Sequence, residues 1–220
     1  MKKLFALLLF LVAAWSCHMD GSYYVQNCQD FVTLSEGTLM NDYGVVYSIS
    51  QVASDKVTVP TVSGKRYFLY FDILNANREI LLKGTTDVNV LQALPVTDPA
   101  PAYHDPIALA FSSISPYYLN LQIAYYQVKG SDFYHRFCVQ YAKDEETGML
   151  VFNFYHDGND ENPASVADAE TLEQVTRILS IPITGYGWTP SGLLFNCHVL
   201  QKKADDSGYE VVQNTYSSNN

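Results

Sequence analysis

After residue 30 the chain alternates short apolar runs with polar, glycine-bearing breaks, the spacing of strands and turns. Residues 31–34 open the series, and 43–52 (YGVVYSISQV) follow the turn signal Asn41-Asp42. Residues 65–74 (KRYFLYFDIL) are apolar at nearly every position, as in a strand covered on both faces. Segments 78–82 and 85–91 supply a fourth strand, broken at Gly84. Pro95, Pro99, Pro101 and Pro106 then crowd into 95–106, a density that resists helix and sheet and marks a semi-rigid connection. Strands resume at 107–115, 117–127, 133–142, 149–156, 176–184, 193–202 and 209–216. Within them Phe133, His135, Phe137, Val139 and Tyr141 occupy alternate positions, the pattern of a half-buried strand. Residues 169–179 carry a competing signal for one or two helical turns, with Asp168 at the N-cap.

The pattern predicts an all-β molecule: an OB-like small barrel over 30–94, a Pro-rich linker over 95–106 and an immunoglobulin-like β-sandwich over 107–216. Composition agrees, with 48% hydrophobic residues, 16% charged and 17 tyrosines, a strand-favouring residue. Residues 1–16 fit a signal peptide: Lys2 and Lys3 precede an apolar run over 4–14, too short for the ~20 residues of a membrane span. Ala14-Trp15-Ser16-Cys17 follows and reads as a lipobox, so Cys17 is expected to carry the lipid and 17–29 to form a lipidated tether. The implied location is the bacterial cell envelope, at the outer membrane.

Charge narrows the partners. Loss of Lys2 and Lys3 takes the 13 lysines and arginines to 11 against 23 acids, so the formal charge moves from −10 to −12. Such a surface repels phosphate backbones and anionic lipid. Nucleic acid is therefore excluded as a partner, and the lipid on Cys17 is the expected membrane contact. Cys28, Cys138 and Cys197 remain, an odd number; Cys138 and Cys197 either pair or stay as buried free thiols.

Two stretches carry a family likeness. One is Gly64-Lys65-Arg66 with its apolar continuation. The other is Tyr118-Leu119-Asn120-Leu121, then His135 opening a strand, then Leu150-Val151-Phe152-Asn153-Phe154-Tyr155-His156. These resemble the Gly-x-Arg, Tyr-x-Asn, His-led and His-Asn-ending strands of the NigD-like lipoproteins of Bacteroides and relatives, although Asp157 stands where that family commonly has Asn. The resemblance implies a lipoprotein with a barrel and a sandwich, and immunity to a bacteriocin as a suggested role.

Candidate chemistry is sparse. His135 and His156 approach each other if their strands pair, and with a third ligand they would suit a metal-assisted hydrolase. The plainer reading is structural histidines at strand ends. The run Asp157-Gly158-Asn159-Asp160-Glu161-Asn162 spaces oxygen atoms as a calcium loop does but lacks its turn glycine and closing Glu. No nucleophile elbow and no His-Glu-x-x-His occurs, so no catalytic residue, metal or cofactor is assigned. Aromatic residues remain: Tyr117 and Tyr125, each in an adjacent tyrosine pair, and Tyr186 and Trp188 in a Gly/Pro loop. Exposed aromatic faces stack on sugars and anchor protein contacts. The expectation is a non-enzymatic module that binds a protein or glycan.

Overall fold

The computed structural model describes residues 23–96, 99–166, 168–186, 190–205 and 207–219. The leader, Cys17 and Trp188 lie outside these residues.

The first five strands are β1 (Val25–Ser35), β2 (Thr38–Asn41), β3 (Val46–Val52), β4 (Arg66–Ile73) and β5 (Glu79–Asp87). They close into a barrel in the order β1-β2-β3-β5-β4, with β3 and β5 parallel. Alternation in β4 explains its apolar run. Tyr67, Leu69, Phe71 and Ile73 fill the barrel with Val32, Ile80 and Leu82. Its other face turns outward, where Phe68 packs with Phe31, Val88 and Ile178.

Nine strands follow: β6 (Asn89–Val90), β7 (Ala93–Pro95), β8 (Ala108–Ile114), β9 (Tyr118–Val128), β10 (Arg136–Lys143), β11 (Leu150–Asp157), β12 (Leu172–Pro182), β13 (Gly192–Lys202) and β14 (Tyr209–Asn219). They form two sheets, β14-β13-β11-β10-β7 and β6-β12-β9-β8. The sheets share one core, in which Leu121, Ile123, Leu179 and Ile181 meet Val139, Phe152, Phe154 and Phe195. Most pairs are antiparallel, but β7–β10, β6–β12 and β11–β13 run parallel, so the sandwich is mixed.

Several boundaries move. The expected tether 17–29 already belongs to the fold from Val25, because the Asn27 N–H and the Tyr24 hydroxyl both donate to the buried carboxylate of Asp72. The closed sheet ends at Asp87 rather than 94, and the link beyond it gives β6 to one sandwich sheet and β7 to the other. The Pro-rich stretch is therefore a connection inside the sandwich, from β7 to β8, and Pro95 sits at the end of an edge strand, where a missing N–H is tolerated. Near Gly84 the strand is not broken: a bulge opposite Tyr70 and Phe71 absorbs one residue and β5 continues. The helical signal over 169–179 yields only a 3₁₀ turn, Ala169–Thr171. From Leu172 onward every residue of β12 pairs with β9, which outweighs local propensity.

Arg66 joins the two units. Its guanidinium is buried and makes a two-point bond to Asp42 at 2.7 and 3.0 Å. It also donates to Thr33 (3.3 Å), to Ser180 (3.2 Å) and to Asn120 (3.2 Å), so all five N–H groups are used. The Tyr118 ring lies 3.8 Å from the guanidinium carbon. A buried cation is tolerated only with such complete pairing. The Gly-x-Arg and Tyr-x-Asn stretches are thus the two halves of one contact.

Candidate functional site

The site is built where β11 and β13 part. Their parallel pairing ends at Asn153 and Asn196, and the chain leaving the Pro-rich stretch enters the gap. There the Asp105 N–H donates to the His156 carbonyl at 3.0 Å and the Ile107 N–H to the His198 carbonyl at 2.8 Å. The Asp105 carboxylate accepts from the N–H groups of Gly158 (2.8 Å) and Asp160 (3.3 Å) and from the Asn162 side chain (3.0 Å). This holds Asn159 and Asp160 in the left-handed region, at φ 55° and 56°. Three side chains of the acidic run direct oxygens to protein partners, the Asn162 Oδ1 accepting from the Ala164 N–H at 2.9 Å. Asp157 pairs with Arg136, and Glu161 accepts from the Val128 N–H and the Ser131 hydroxyl, both at 2.7 Å.

Behind that loop His135 and His156 meet, as strand pairing allows. His135 Nδ1 lies 2.9 Å from His156 Nε2, so one ring donates to the other. Both rings are buried, with Tyr125 and Phe137 packed against them. Glu161 stands 3.7 Å from the other nitrogen of His135, His135 Nε2. Burial, and after it the neighbouring His135, lower the pKa of His156 to about 4. His135 is lowered by burial too, against the opposing charge of Glu161. The arrangement is a hydrogen-bonded pair of imidazoles that resists protonation. Its paired nitrogens face each other, and among the described residues no group of three His, Cys, Asp or Glu is placed to hold a metal ion. The geometry that a metal-assisted hydrolase at His135 and His156 would need is not assembled there. The three thiols Cys28, Cys138 and Cys197 are free; burial raises the pKa of Cys197 to about 12, which makes it inert.

The accessible feature lies in front of the histidines. A cleft of about 1000 Å³ opens at the junction of barrel and sandwich. One wall is the end of β5 and the link 88–91; the other is the loop before β10 together with β12. Tyr103, Phe133 and Tyr134 supply aromatic faces; Arg177 supplies a cation, while Arg136 is already paired with Asp157 and Asp87 adds an acid bound to Lys65. Tyr134 is 83% exposed, a high value for an aromatic side chain in a built wall. His135, Phe137 and Tyr125 form its floor.

The aromatic residues singled out by sequence separate. Tyr117 is exposed at the β8–β9 turn, away from the cleft. Tyr125 is a correction: it is 3% exposed, since it is the inward member of its pair, and it packs on the histidines instead of presenting a face. Tyr186 packs against Tyr141 and donates to the Pro182 carbonyl at 2.6 Å, with its pKa raised to about 12 by burial. Tyr134, Phe133, Arg136 and Arg177 escaped the sequence reading. Their signal was the aromatic pair directly after Gly130-Ser131-Asp132; a strand starting at Phe133 hides it, whereas β10 starts at Arg136.

No family model and no curated protein matches this chain. Solved structures do. A NigD-like immunity protein from Bacteroides caccae superposes with a TM-score of 0.59 at 17% identity, over 89% of this chain and 97% of that one. A protein provisionally assigned as a lipoprotein from Bacteroides fragilis gives 0.56 at 14% identity, over 87% and 97%. A protein of unknown function from Bacteroides vulgatus gives 0.57 at 16% identity, over 87% and 90%. The resemblance drawn from sequence is thus shared at the level of the fold.

Proposed function

We propose that this chain, which has the fold of the NigD-like proteins, is a lipid-anchored protein of the outer membrane that binds a glycan without transforming it. The observation that carries the reading is the junction cleft, where the exposed ring of Tyr134 and the half-buried rings of Tyr103 and Phe133 stand beside Arg177 on an otherwise acidic molecule. Aromatic faces stack on the apolar faces of sugar rings, and a guanidinium pairs with a carboxylate or sulfate. A sugar chain with acidic substituents fits both. The leader with its lipobox cysteine supports the anchor, and the fold shared with a provisionally assigned lipoprotein adds to it. A glycan array probed with mature protein tests the cleft. Acidic oligosaccharides are expected to bind, with affinity at least tenfold weaker in Tyr134→Ala and Arg177→Ala. Equal binding by both variants, or binding to proteins alone in a pull-down, removes the reading.

A narrower role, immunity to a bacteriocin, draws on the shared fold with the B. caccae protein. Deleting the gene should then raise sensitivity to bacteriocins of sibling strains; unchanged sensitivity removes it.

A further inference from the structure

The sandwich is open along one side. β8 ends one sheet and β14 ends the other, and among the described residues neither has a strand on its outer edge. Between them lie openings of about 300 Å³, bounded by Leu109, Leu121, Phe195 and Tyr216, and about 320 Å³, bounded among others by Ile107 and Val199. A third of about 210 Å³ continues past Ile114. None of the three is lined by a charged residue, in a chain whose net charge is −10.

The two edges differ. β8 has seven residues and a bulge between Leu109 and Phe111, a common protection of an edge. β14 has eleven residues and an unbroken register with β13, from Gly192↔Asn219 to Lys202↔Tyr209. It contains no proline and no lysine, and Glu210 is its one charge. An edge that long and regular, with a single charge near its start, is a template for another strand. Its backbone groups ask for a polypeptide, which an acyl chain cannot satisfy, and the uncharged openings ask for apolar side chains.

We propose that the free edge of β14 takes up an extended segment of a partner polypeptide as an added strand. Alternate side chains of that segment are apolar and close the openings toward β8; the others are polar and face solvent. This surface is separate from the junction cleft, and neither depends on the other.

A phage-displayed library of peptides about 12 residues long, the reach of a long strand, tests it on mature protein. Selected sequences should alternate apolar and polar residues, and a synthetic version should slow amide exchange along β14. Asn214 is exposed and, by its register with the core residue Cys197, faces the inner side. Asn214→Lys puts an inward charge on the edge and should weaken the peptide at least tenfold, while Asn214→Val retains it. Failure to select alternating peptides, protection elsewhere than β14, or equal binding by Asn214→Lys overturns the proposal. So does saturable uptake of a fluorescent fatty acid with no peptide binding, or dimerisation through β14 without peptide.

Discussion

Gly158 is fixed by the histidines beside it and not by its own backbone. A Cβ there would stand 2.9 Å from His156 Cε1 and 3.1 Å from His135 Nδ1, closer than packed atoms allow. Gly158→Ala should therefore push the pair apart and cost about 1–3 kcal/mol in urea denaturation, the usual range for an overpacked core. The pair also sets a pH dependence. His156 titrates at about 4 in the folded chain, below the ~6.5 of an unfolded histidine. The unfolded chain then takes up the proton first, so this contribution is full above about 6.5 and is lost as pH falls toward 4. His135 shifts in the same direction. The urea midpoint should drop between pH 7 and 5, and His156→Gln should flatten that drop; an unchanged slope in the variant would show that other groups govern it.

At the scale of elements, the barrel and sandwich meet around one buried cation, beside the apolar cluster of Phe31, Phe68, Val88 and Ile178. Arg66→Ala leaves the Asp42 carboxylate buried without its partner, which typically costs about 3–5 kcal/mol. Arg66→Lys should recover only part of that loss, because an ammonium cannot reproduce the two-point bond and the stack on Tyr118. Thermal unfolding of both variants checks this; near-equal stability of Lys and Arg would mean that charge alone holds the junction. Arg66 also shows what sequence could and could not give. A lone arginine in an apolar run signals a buried cation in need of a carboxylate, yet nothing local points to Asp42, Asn120 or Ser180, which arrive from other strands. The strands themselves were legible because their alternation is local. The position of β7 and the true place of the Pro-rich stretch were not, because both follow from pairing with distant strands.

On the scale of the whole molecule, the His135–His156 contact was legible as a possibility from strand spacing, but the cleft was not. Its walls come from the end of the barrel, the link 88–91, a loop and β12, so no single stretch of sequence contains it. The proposed anchor is the opposite case, since the leader and the cysteine on which that proposal rests are contiguous in sequence. Cys17→Ser should release the protein from the membrane fraction and abolish palmitate labelling; retention of both would shift the anchor elsewhere. Two surfaces are proposed for partners, an aromatic cleft with Arg177 and a sheet edge with a single charge, on a chain of formal charge −10. The binding claim is tested most directly by titrating isotopically labelled mature protein with acidic oligosaccharides and following backbone NMR shifts. Saturable changes centred on Tyr103, Phe133, Tyr134 and Arg177 are predicted. Shifts that never saturate, or that gather away from the junction, would contradict it.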